Sequence, residues 1–256
     1  MGTEFARYPS LAGRVVLVTG GASGIGADIV RAFAANAARV AFLDILAEAG
    51  RALSAELCDA AFAPRFLECD IADVAALRRA IETVGRDLGP ISVLINNAAD
   101  DERHDADAVT PDYWDASMAV NLRPQFFAAQ AVRTQMRGLG HGSIVNLSSI
   151  AWRYGAGDMA AYATAKAAVL GLTRSLARAF GDDNIRVNAI EPGAVMTERQ
   201  RRLWYRSEEQ VAAMVERQCL KQVLLGEEIA RMALFLAADD SRMITRQSMI
   251  VDAGLS

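Results

Sequence analysis

The sequence predicts an α/β fold, a doubly wound parallel sheet in a single domain over residues 1–256. Short apolar runs alternate with alanine-rich stretches of helical character along the whole chain. Runs such as 15–18 are apolar at every position, as expected of strands that are covered on both faces. No linker, repeat or low-complexity segment interrupts the succession of strand–helix–strand units, which indicates one domain.

The elements follow in order along the chain. The predicted strands are Arg14–Thr19, Arg39–Leu43, Arg65–Cys69, Ser92–Asn96, Ser143–Ser148 and Ile185–Ile190. The predicted helices are Gly24–Asn36, Ala47–Cys58, Asp73–Leu88, Pro111–Arg137 and one near 157–180. Thr110 and Pro111 suit the N-cap and the first position of the long fourth helix. Asn36 is expected to end the first helix in the left-handed conformation, which Asn tolerates best after glycine.

A segment rich in Arg and Glu, residues 196–220, follows a Pro-Gly break and is called the flap from here on. We interpret it as a helical flap over the functional site. The alternative is an ordinary solvated pair of helices.

Composition excludes several classes of protein. The net charge of −4 gives no general attraction to nucleic acid or to an anionic membrane. Residues 1–11 lack a hydrophobic signal core, and no apolar run is long enough to span a bilayer. The three cysteines are scattered, and His104 and His141 are far apart, so no metal site is expected. These features predict a soluble cytoplasmic protein.

A glycine-rich turn joins the first predicted strand to the first helix. Gly20 permits a tight turn, while Gly24 and Gly26 allow the backbone to approach a phosphate closely. The free N–H groups at the helix start favour an anion. Such a turn can be purely structural, but within a strand–turn–helix unit it predicts a nucleotide site. The predicted contacts are Gly20, Ser23, Gly24, Ile25 and Gly26.

A carboxylate ends the second predicted strand. Asp44 can accept hydrogen bonds from both hydroxyls of an adenosine ribose, and it would repel a 2′-phosphate. Neither Ser23 nor Ile45 offers a positive charge that would welcome that phosphate. We therefore expect NAD rather than NADP as the cofactor. The alternative is that Asp44 only caps the next helix.

A tyrosine and a lysine stand four residues apart in an alanine-rich helical run. At this spacing Tyr162 and Lys166 share one helix face. Ser149 lies thirteen residues upstream of the tyrosine, at the end of a predicted strand. The three side chains could therefore meet at one point.

These residues have companions in a fixed order along the chain: the glycine-rich turn, Asn96-Asn97-Ala98, Asn121 and Pro192-Gly193. Together they resemble the single-domain branch of the short-chain dehydrogenases/reductases, from about Leu11 to the C-terminus. That family has a Rossmann-like fold. Its glycine-rich turn has the spacing Gly-x-x-x-Gly-x-Gly found here, rather than Gly-x-Gly-x-x-Gly.

The resemblance implies a catalytic set of Asn121, Ser149, Tyr162 and Lys166. Tyrosine's ordinary pKa of about 10 is too high for a base near neutrality. We expect Lys166 to lower it and also to bond the nicotinamide ribose. Ser149 would stabilise charge on the reacting oxygen, with Ser148 as the competing candidate. Asn121 would hold a water, which Pro124 supports because a proline leaves the carbonyl of Val120 without its helical partner.

The resemblance also implies further cofactor contacts beside the tyrosine and the lysine. Asp70 would receive the adenine amino group, helped by the Ile71 backbone, although Asp70 could equally cap the next helix. Thr197 is the candidate for the nicotinamide carboxamide. The other expected contacts are Asn97, Ala98, Pro192, Gly193 and Val195.

Variable residues must decide the substrate. The loop at 100–105 is unusually polar, and the flap combines aromatic and charged residues, which suits a polyhydroxylated ligand better than a lipid. The alternative is that most of these charges simply face water. The candidate substrate residues are Asp101, Arg103, His104, Ser149, Trp152, Arg153, Arg199, Gln200 and Trp204.

Several of these stretches, such as 101–104, 149–152 and 218–221, are similar to bacterial NAD-dependent sugar dehydrogenases of the xylose and arabinose type. This similarity implies oxidation of an aldose at C1 to an aldonolactone. A dehydrogenase of a sugar acid or polyol, or a 3-oxoacyl or other carbonyl reductase, remains open. So does a non-catalytic binding protein on this fold, although every expected catalytic residue is present. The family resemblance also implies a homotetramer.

Overall fold

The computed structural model describes residues 5–256 and has one seven-stranded sheet. Every neighbouring pair of strands is parallel, in the order β3-β2-β1-β4-β5-β6-β7. The predicted fold class is therefore confirmed. The strands are β1 (Val15–Thr19), β2 (Arg39–Asp44), β3 (Arg65–Glu68), β4 (Ile91–Asn96), β5 (Gly142–Leu147), β6 (Ile185–Pro192) and β7 (Ser248–Val251).

Nine α-helices occur in the described residues. They are α1 (Gly24–Ala35), α2 (Ala47–Glu56), α3 (Val74–Leu88), α4 (Pro111–Asn121), α5 (Arg123–Leu139), α6 (Ala160–Phe180), α7 (Glu198–Leu203), α8 (Glu208–Glu216) and α9 (Gly226–Ala237). The flap contains α7 and α8. No helix of residues 5–256 is long and apolar enough to cross a membrane.

Two hydrophobic layers cover the sheet, because alternate strand residues point to opposite faces. Val16 and Val18 of β1 pack with α1 and α9 on one face. Leu17, between them, packs with α3, α5 and α6 on the other. All five residues of β1 are buried, which is why the strand is apolar throughout.

The strand order reverses at β1, because β2 lies on one side of it and β4 on the other. The helix that follows β1, α1, packs on one face of the sheet, and α5, after β4, packs on the other. A crevice therefore opens between them at the carboxyl ends of the strands. In sheets of this kind ligands bind in such a crevice. This edge carries the residues selected from the sequence.

The predicted long helix at 111–137 is two helices. α4 ends at Asn121, Leu122 leaves the helical conformation, and α5 begins at Arg123. Pro124 stands at the second position of α5, where a missing N–H costs nothing. The prediction of a single helix over 111–137 is therefore wrong. Pro124, which we expected to disturb that helix, lies instead in the first turn of a second one.

The predicted C-cap at Asn36 is also corrected. Asn36 has a negative φ, and the next residue, Ala37, adopts the left-handed conformation with φ of 55°. The Asn36 side chain instead donates to the carbonyl of Ala32 at 2.9 Å and accepts from the N–H of Tyr8 at 2.9 Å. Its role is to tie the N-terminal segment to α1.

Candidate active site

A cavity of about 950 Å³ opens along the carboxyl ends of the strands. It runs from Asp44 and Ile71 on one side of the crevice to the flap on the other. Tyr162 and Lys166 line its middle. Its volume lies at the upper end of the usual range for small-molecule sites.

The glycine-rich turn is packed so tightly that side chains are excluded. A Cβ on Gly26 would lie 1.8 Å from the carbonyl oxygen of Gly20, and one on Gly20 would lie 2.6 Å from Cα of Ala98. Gly20 and Gly24 also have positive φ values of 66° and 53°. Ser23 precedes α1 and, within the described residues, its hydroxyl does not cap the helix. The hydroxyl and the first N–H groups of α1 thus remain available at the cavity wall.

Asn97 holds this turn in place. Its side-chain amide donates to the carbonyls of Thr19 at 3.1 Å and Gly20 at 2.8 Å. The Thr19 hydroxyl accepts from the N–H groups of Asn97 and Ala98, at 3.1 and 3.2 Å. The end of β4 and the turn after β1 therefore form one rigid unit.

Asp44 is almost fully buried. It also binds backbone N–H groups before α2, which is part of the capping role that was the alternative to a ribose contact. One carboxylate oxygen accepts from the N–H of Ala22 at 2.9 Å, and the other accepts from Leu46 at 3.0 Å. A carboxylate has about four acceptor positions. Two acceptor positions therefore remain on a carboxylate that lines the cavity.

Asp70 and Ile71 both line the cavity. Asp70 accepts from the N–H of Ala72 at 2.8 Å and so closes a local turn. The N-cap of α3 is Asp73, whose carboxylate accepts from Ala75 at 2.8 Å and from the next residue. The structure therefore assigns the capping role to Asp73 rather than to Asp70.

Ser149, Tyr162 and Lys166 meet in the middle of the cavity, as their spacing predicted. The Ser149 hydroxyl accepts from the N–H of Ala151 at 3.1 Å, and it lies near enough to Tyr162 to lower the pKa of the phenol. Lys166 is 1% exposed, its Nζ donates to the carbonyl of Leu147 at 2.9 Å, and it lies 5.5 Å from the centre of the Tyr162 ring. Ser148 points away and donates to the carbonyl of Lys166 at 2.7 Å. Geometry therefore favours Ser149 over Ser148.

Burial dominates the electrostatics of this cluster. It raises the pKa of Tyr162 well above its ordinary value, Asp101 raises it further, and the nearby Ser149 hydroxyl lowers it. Burial lowers the pKa of Lys166 to about 8, against an opposing contribution from Asp101. We expected Lys166 to hold the tyrosine pKa below its ordinary value. Lys166 is not among the groups that lower the pKa of Tyr162 here, and burial raises it, so the effect of the lysine stays a prediction for the complex with cofactor.

Asn121 is buried at the end of α4. Its side-chain oxygen accepts from the N–H of Asp100 at 2.9 Å, and its amide donates to the carbonyl of Asp100 at 3.0 Å. Both bonds fix the loop after β4. The carbonyl of Val120, which loses a partner to Pro124, belongs to a residue that lines the cavity.

The segment after β6 crosses over the glycine-rich turn. The N–H of Gly193 donates to the carbonyl of Val251 at 2.9 Å, and a Cβ on Gly193 would lie 2.6 Å from Cα of Asp252. Thr197 caps α7 by accepting from the N–H of Gln200 at 3.2 Å. A Cβ on Gly24 would be 3.3 Å from Cγ2 of Thr197. Pro192, Gly193, Val195 and Thr197 all line the cavity.

Five of the nine candidate substrate residues line the cavity: Asp101, Arg103, Ser149, Arg199 and Gln200. Arg103 forms an ion pair with Asp158 at 3.2 Å and stacks on Trp204, 4.2 Å from the ring centre. Trp204 therefore supports Arg103 from behind.

His104 also lies behind the cavity wall. Its ring is hydrogen-bonded to the Tyr113 hydroxyl at 2.9 Å and accepts from the N–H of Ala161 at 3.4 Å. It joins the loop after β4 to α4 and α6.

The prediction that Trp152 and Arg153 contact the substrate is wrong. Neither lines the cavity, and both bind a buried carboxylate outside it. Glu191, fully buried at the end of β6, accepts from Trp152 Nε1 at 2.9 Å. It also accepts two bonds of 2.8 Å from Arg153 and one from the Ser248 hydroxyl. Burial opposes its charge, but these hydrogen bonds hold the pKa of Glu191 below its ordinary value.

Comparison with known proteins decides the family. A family model described as enoyl-(acyl carrier protein) reductase matches residues 20–256. The chain belongs to the short-chain dehydrogenase/reductase family.

Two curated relatives of this short-chain dehydrogenase/reductase are sugar dehydrogenases. The probable galactose dehydrogenase GalD of Rhizobium meliloti (strain 1021) is 51% identical over 98% of both chains. The D-xylose 1-dehydrogenase of Caulobacter vibrioides (strain NA1000 / CB15N) is 44% identical over 97% of this chain and 98% of its own. A solved structure, a blue fluorescent protein from a metagenomic library in complex with NADPH, has a TM-score of 0.88 and 37% identity. It covers 96% of this chain and 99% of its own.

The short-chain dehydrogenase/reductase is therefore an oxidoreductase that acts on CH–OH groups with a nicotinamide cofactor. The residues present fit that group. Ser23, Gly24, Ile25 and Gly26 line the cavity at the N-terminus of α1, where free N–H groups favour a phosphate, and Asp44 and Asp70 line the same cavity.

Three residues that line the cavity have no place among the site residues predicted from the sequence. Met214 and Arg217, three residues apart on one side of α8 and the turn that ends it, line the cavity. Their helical spacing was the available signal. Leu255 also lines it, close to the C-terminus, and no local pattern indicates that contact.

Proposed function

We propose that the protein oxidises an aldose at C1 to an aldonolactone with NAD, and that Tyr162 is the base. The observation that carries this proposal is the cluster of Ser149, Tyr162 and Lys166 in the middle of a cavity with a polar substrate side. The names of the galactose and xylose relatives support the substrate class. The same names disfavour a non-catalytic role.

Each residue of the cluster has a step to perform in this proposal. Ser149 donates a hydrogen bond to the oxygen at C1 and holds the sugar against Tyr162. Tyr162 removes the hydroxyl proton as phenolate. A nicotinamide held along the cavity by the glycine-rich turn, Asp44 and Lys166 would supply the hydride acceptor and, in its oxidised form, a positive charge that favours the phenolate. Lys166, fixed by the carbonyl of Leu147, holds its ammonium near the phenolate that forms.

The substrate side supports a polyhydroxylated ligand. Arg103 and Asp158 offer a donor and an acceptor side by side, and Tyr154 and Tyr205 add aromatic faces with hydroxyl groups. Such a wall can exchange hydrogen bonds with several sugar hydroxyls while covering C–H surfaces.

A sugar acid is the second candidate. Arg202 and Arg217 line the cavity, and within residues 5–256 neither forms an ion pair with a carboxylate. A guanidinium can bind a substrate carboxylate with two parallel bonds. Both arginines are exposed, so solvation alone also satisfies them.

The preference for NAD is tested at Asp44. Asp44→Ala should weaken NAD binding about 10- to 100-fold, the worth of a charge-assisted hydrogen bond, and should affect NADP less because its phosphate is no longer repelled. Fluorescence titration with NADH and NADPH measures both. Asp44→Asn, which keeps an acceptor for Ala22, separates ribose recognition from damage to the turn. An unchanged ratio of the two affinities would refute this role.

The substrate class is tested by following NADH formation over a panel of aldoses, polyols and 3-deoxy sugar acids. We expect turnover of xylose, arabinose, fucose or galactose. Activity confined to a sugar acid would instead favour Arg202 and Arg217 as carboxylate ligands and would move the oxidised carbon away from C1.

A further inference from the structure

The flap is tied to the loop after β4 by a set of charged side chains. Arg199 of α7 donates to Asp100 at 2.9 Å and to Asp101 at 3.0 Å. Gln200 donates to the second carboxylate oxygen of Asp101. The side chain of Asp101 is 19% exposed and that of Arg199 is 49% exposed, so the contact lies at the rim of the cavity, with the carboxylate on its less exposed side.

The same loop is fixed from the opposite side. Asn121 exchanges two hydrogen bonds with the backbone of Asp100, from within the core at the end of α4. The backbone of the loop is therefore held by the body of the protein, whereas the Asp101 carboxylate is held by the flap. If α7 moves, Asp101 loses its partners but keeps its place beside the cavity.

Asp101 also acts on the catalytic pair. After burial it makes the largest contribution to the raised pKa of Tyr162, and it opposes the fall in the pKa of Lys166 that burial causes. A negative charge raises both values because it disfavours the phenolate and favours the ammonium. Within residues 5–256 Arg199 forms hydrogen bonds with Asp100 and Asp101 and with neither Tyr162 nor Lys166.

We propose that Asp101, held by Arg199 and Gln200, is the positioning residue through which the flap sets the pH range in which Tyr162 and Lys166 work. This inference rests on the proposed function of that pair.

With the flap closed, the guanidinium of Arg199 offsets the charge of Asp101. Asp101 raises the pKa of Tyr162 even with this pair in place, so loss of the pair would disfavour the phenolate further. Asp100 also pairs with Arg199 and makes a smaller contribution than Asp101 to the raised pKa of Tyr162, so Arg199→Gln uncovers its charge as well. The other titratable or charged groups on this side of the cavity stay constant in the comparison: Arg103, Tyr154, Asp158, Glu198, Arg202, Tyr205 and Arg217.

The sign can be worked out for each limb of the pH profile. Oxidation needs Tyr162 deprotonated and Lys166 protonated, so the pKa values of these two groups together define the acidic and alkaline limbs. Asp101→Asn lowers both pKa values and should move both limbs to lower pH. Arg199→Gln leaves Asp101 uncompensated and should move both limbs to higher pH. We expect shifts of about one pH unit.

The experiment measures pH profiles of kcat/KM for the wild type, Asp101→Asn, Arg199→Gln and the double variant. Because Arg199 acts mainly through Asp101 and to a smaller extent through Asp100, the pH profile of the double variant should lie much closer to that of Asp101→Asn than to that of Arg199→Gln. Arg199→Lys should restore much of the wild-type profile. Arg201→Gln is the matched control, since Arg201 lies on the same helix but pairs with Glu208 outside the cavity.

A second readout needs no substrate. Ultraviolet titration in the presence of NAD, taken as the difference between each protein and its Tyr162→Phe counterpart, reports the phenolate of Tyr162. Titration midpoints that rise in the order Asp101→Asn, wild type, Arg199→Gln support the inference. They do so even if no sugar is oxidised, since failure to oxidise a sugar would refute only the proposed substrate. Unmoved midpoints, or additive effects in the double variant, would overturn the inference and leave the proposed function intact.

Discussion

Replacing Tyr162 by phenylalanine should lower kcat by about 10³-fold or more while NADH binds with nearly unchanged affinity. Loss of a general base typically costs 10²- to 10⁴-fold, and here the tyrosine lines the cavity together with Ser149 and Lys166. The ring remains, so packing in α6 is preserved. Steady-state rates and fluorescence titration with NADH measure the two quantities.

The matched control for this prediction is Tyr154→Phe. Tyr154 also lines the cavity but is 55% exposed, and its hydroxyl has no place in the proton transfer. Its loss should alter KM for the sugar more than kcat. Full activity of Tyr162→Phe would contradict the assignment of the base, and loss of NADH binding would point to a structural role instead.

Replacing Glu191 by alanine should reduce the free energy of unfolding by about 3 kcal/mol. Breaking a buried ion pair on one side typically costs 3–5 kcal/mol. The lower end applies because the Arg153 side chain is 33% exposed and can regain water. Trp152 and Ser248 also lose their acceptor. Urea unfolding followed by circular dichroism measures the change.

A pH series sharpens the prediction for Glu191. Its pKa is lowered in the folded protein, so its stabilising effect is present above the ordinary pKa of glutamate and is lost as the pH falls through the folded value. The difference in stability between wild type and Glu191→Ala should therefore shrink in acid.

The matched control is an exposed ion pair. Asp239→Ala, which breaks the exposed pair with Arg14, should reduce the free energy of unfolding by less than about 1 kcal/mol. Equal costs for the two variants would contradict the account.

The sequence predicted the fold and the centre of the site because both depend on local patterns. Strand–helix alternation defines the sheet, and the glycine spacing at 20–26 and the separation of Tyr162 from Lys166 are helix and turn geometry. Six of the seven strands were predicted with bounds within one or two residues, whereas α9 was not assigned at all. Its apolar face packs on α1, a contact between distant segments.

The substrate side of the cavity was less predictable, because its charged side chains form ion pairs with residues that are far away in the sequence. Arg153 and Arg199 look alike in the sequence. One binds Glu191 and leaves the cavity, and the other binds Asp100 and Asp101 and stays in it. The number of arginines indicated a polar site, but only the folded chain shows which guanidinium faces it.

The pKa of Tyr162 shows a second limit of sequence reasoning. A lysine at helical spacing was expected to lower it, which is a pairwise argument. In the fold both side chains are withdrawn from water, so burial opposes both charges at once. The magnitude of that cost depends on the surrounding packing and has no signature in the local sequence.

The central claim, transfer of a hydride from C1 of an aldose to NAD, is tested most directly with deuterium. The protein is incubated with NAD and with xylose or galactose that carries deuterium only at C1, and the reduced cofactor is analysed by mass spectrometry. The account predicts NADH that is one mass unit heavier than that formed from unlabelled sugar. Unlabelled NADH from the deuterated sugar would show that another carbon is oxidised and would contradict it.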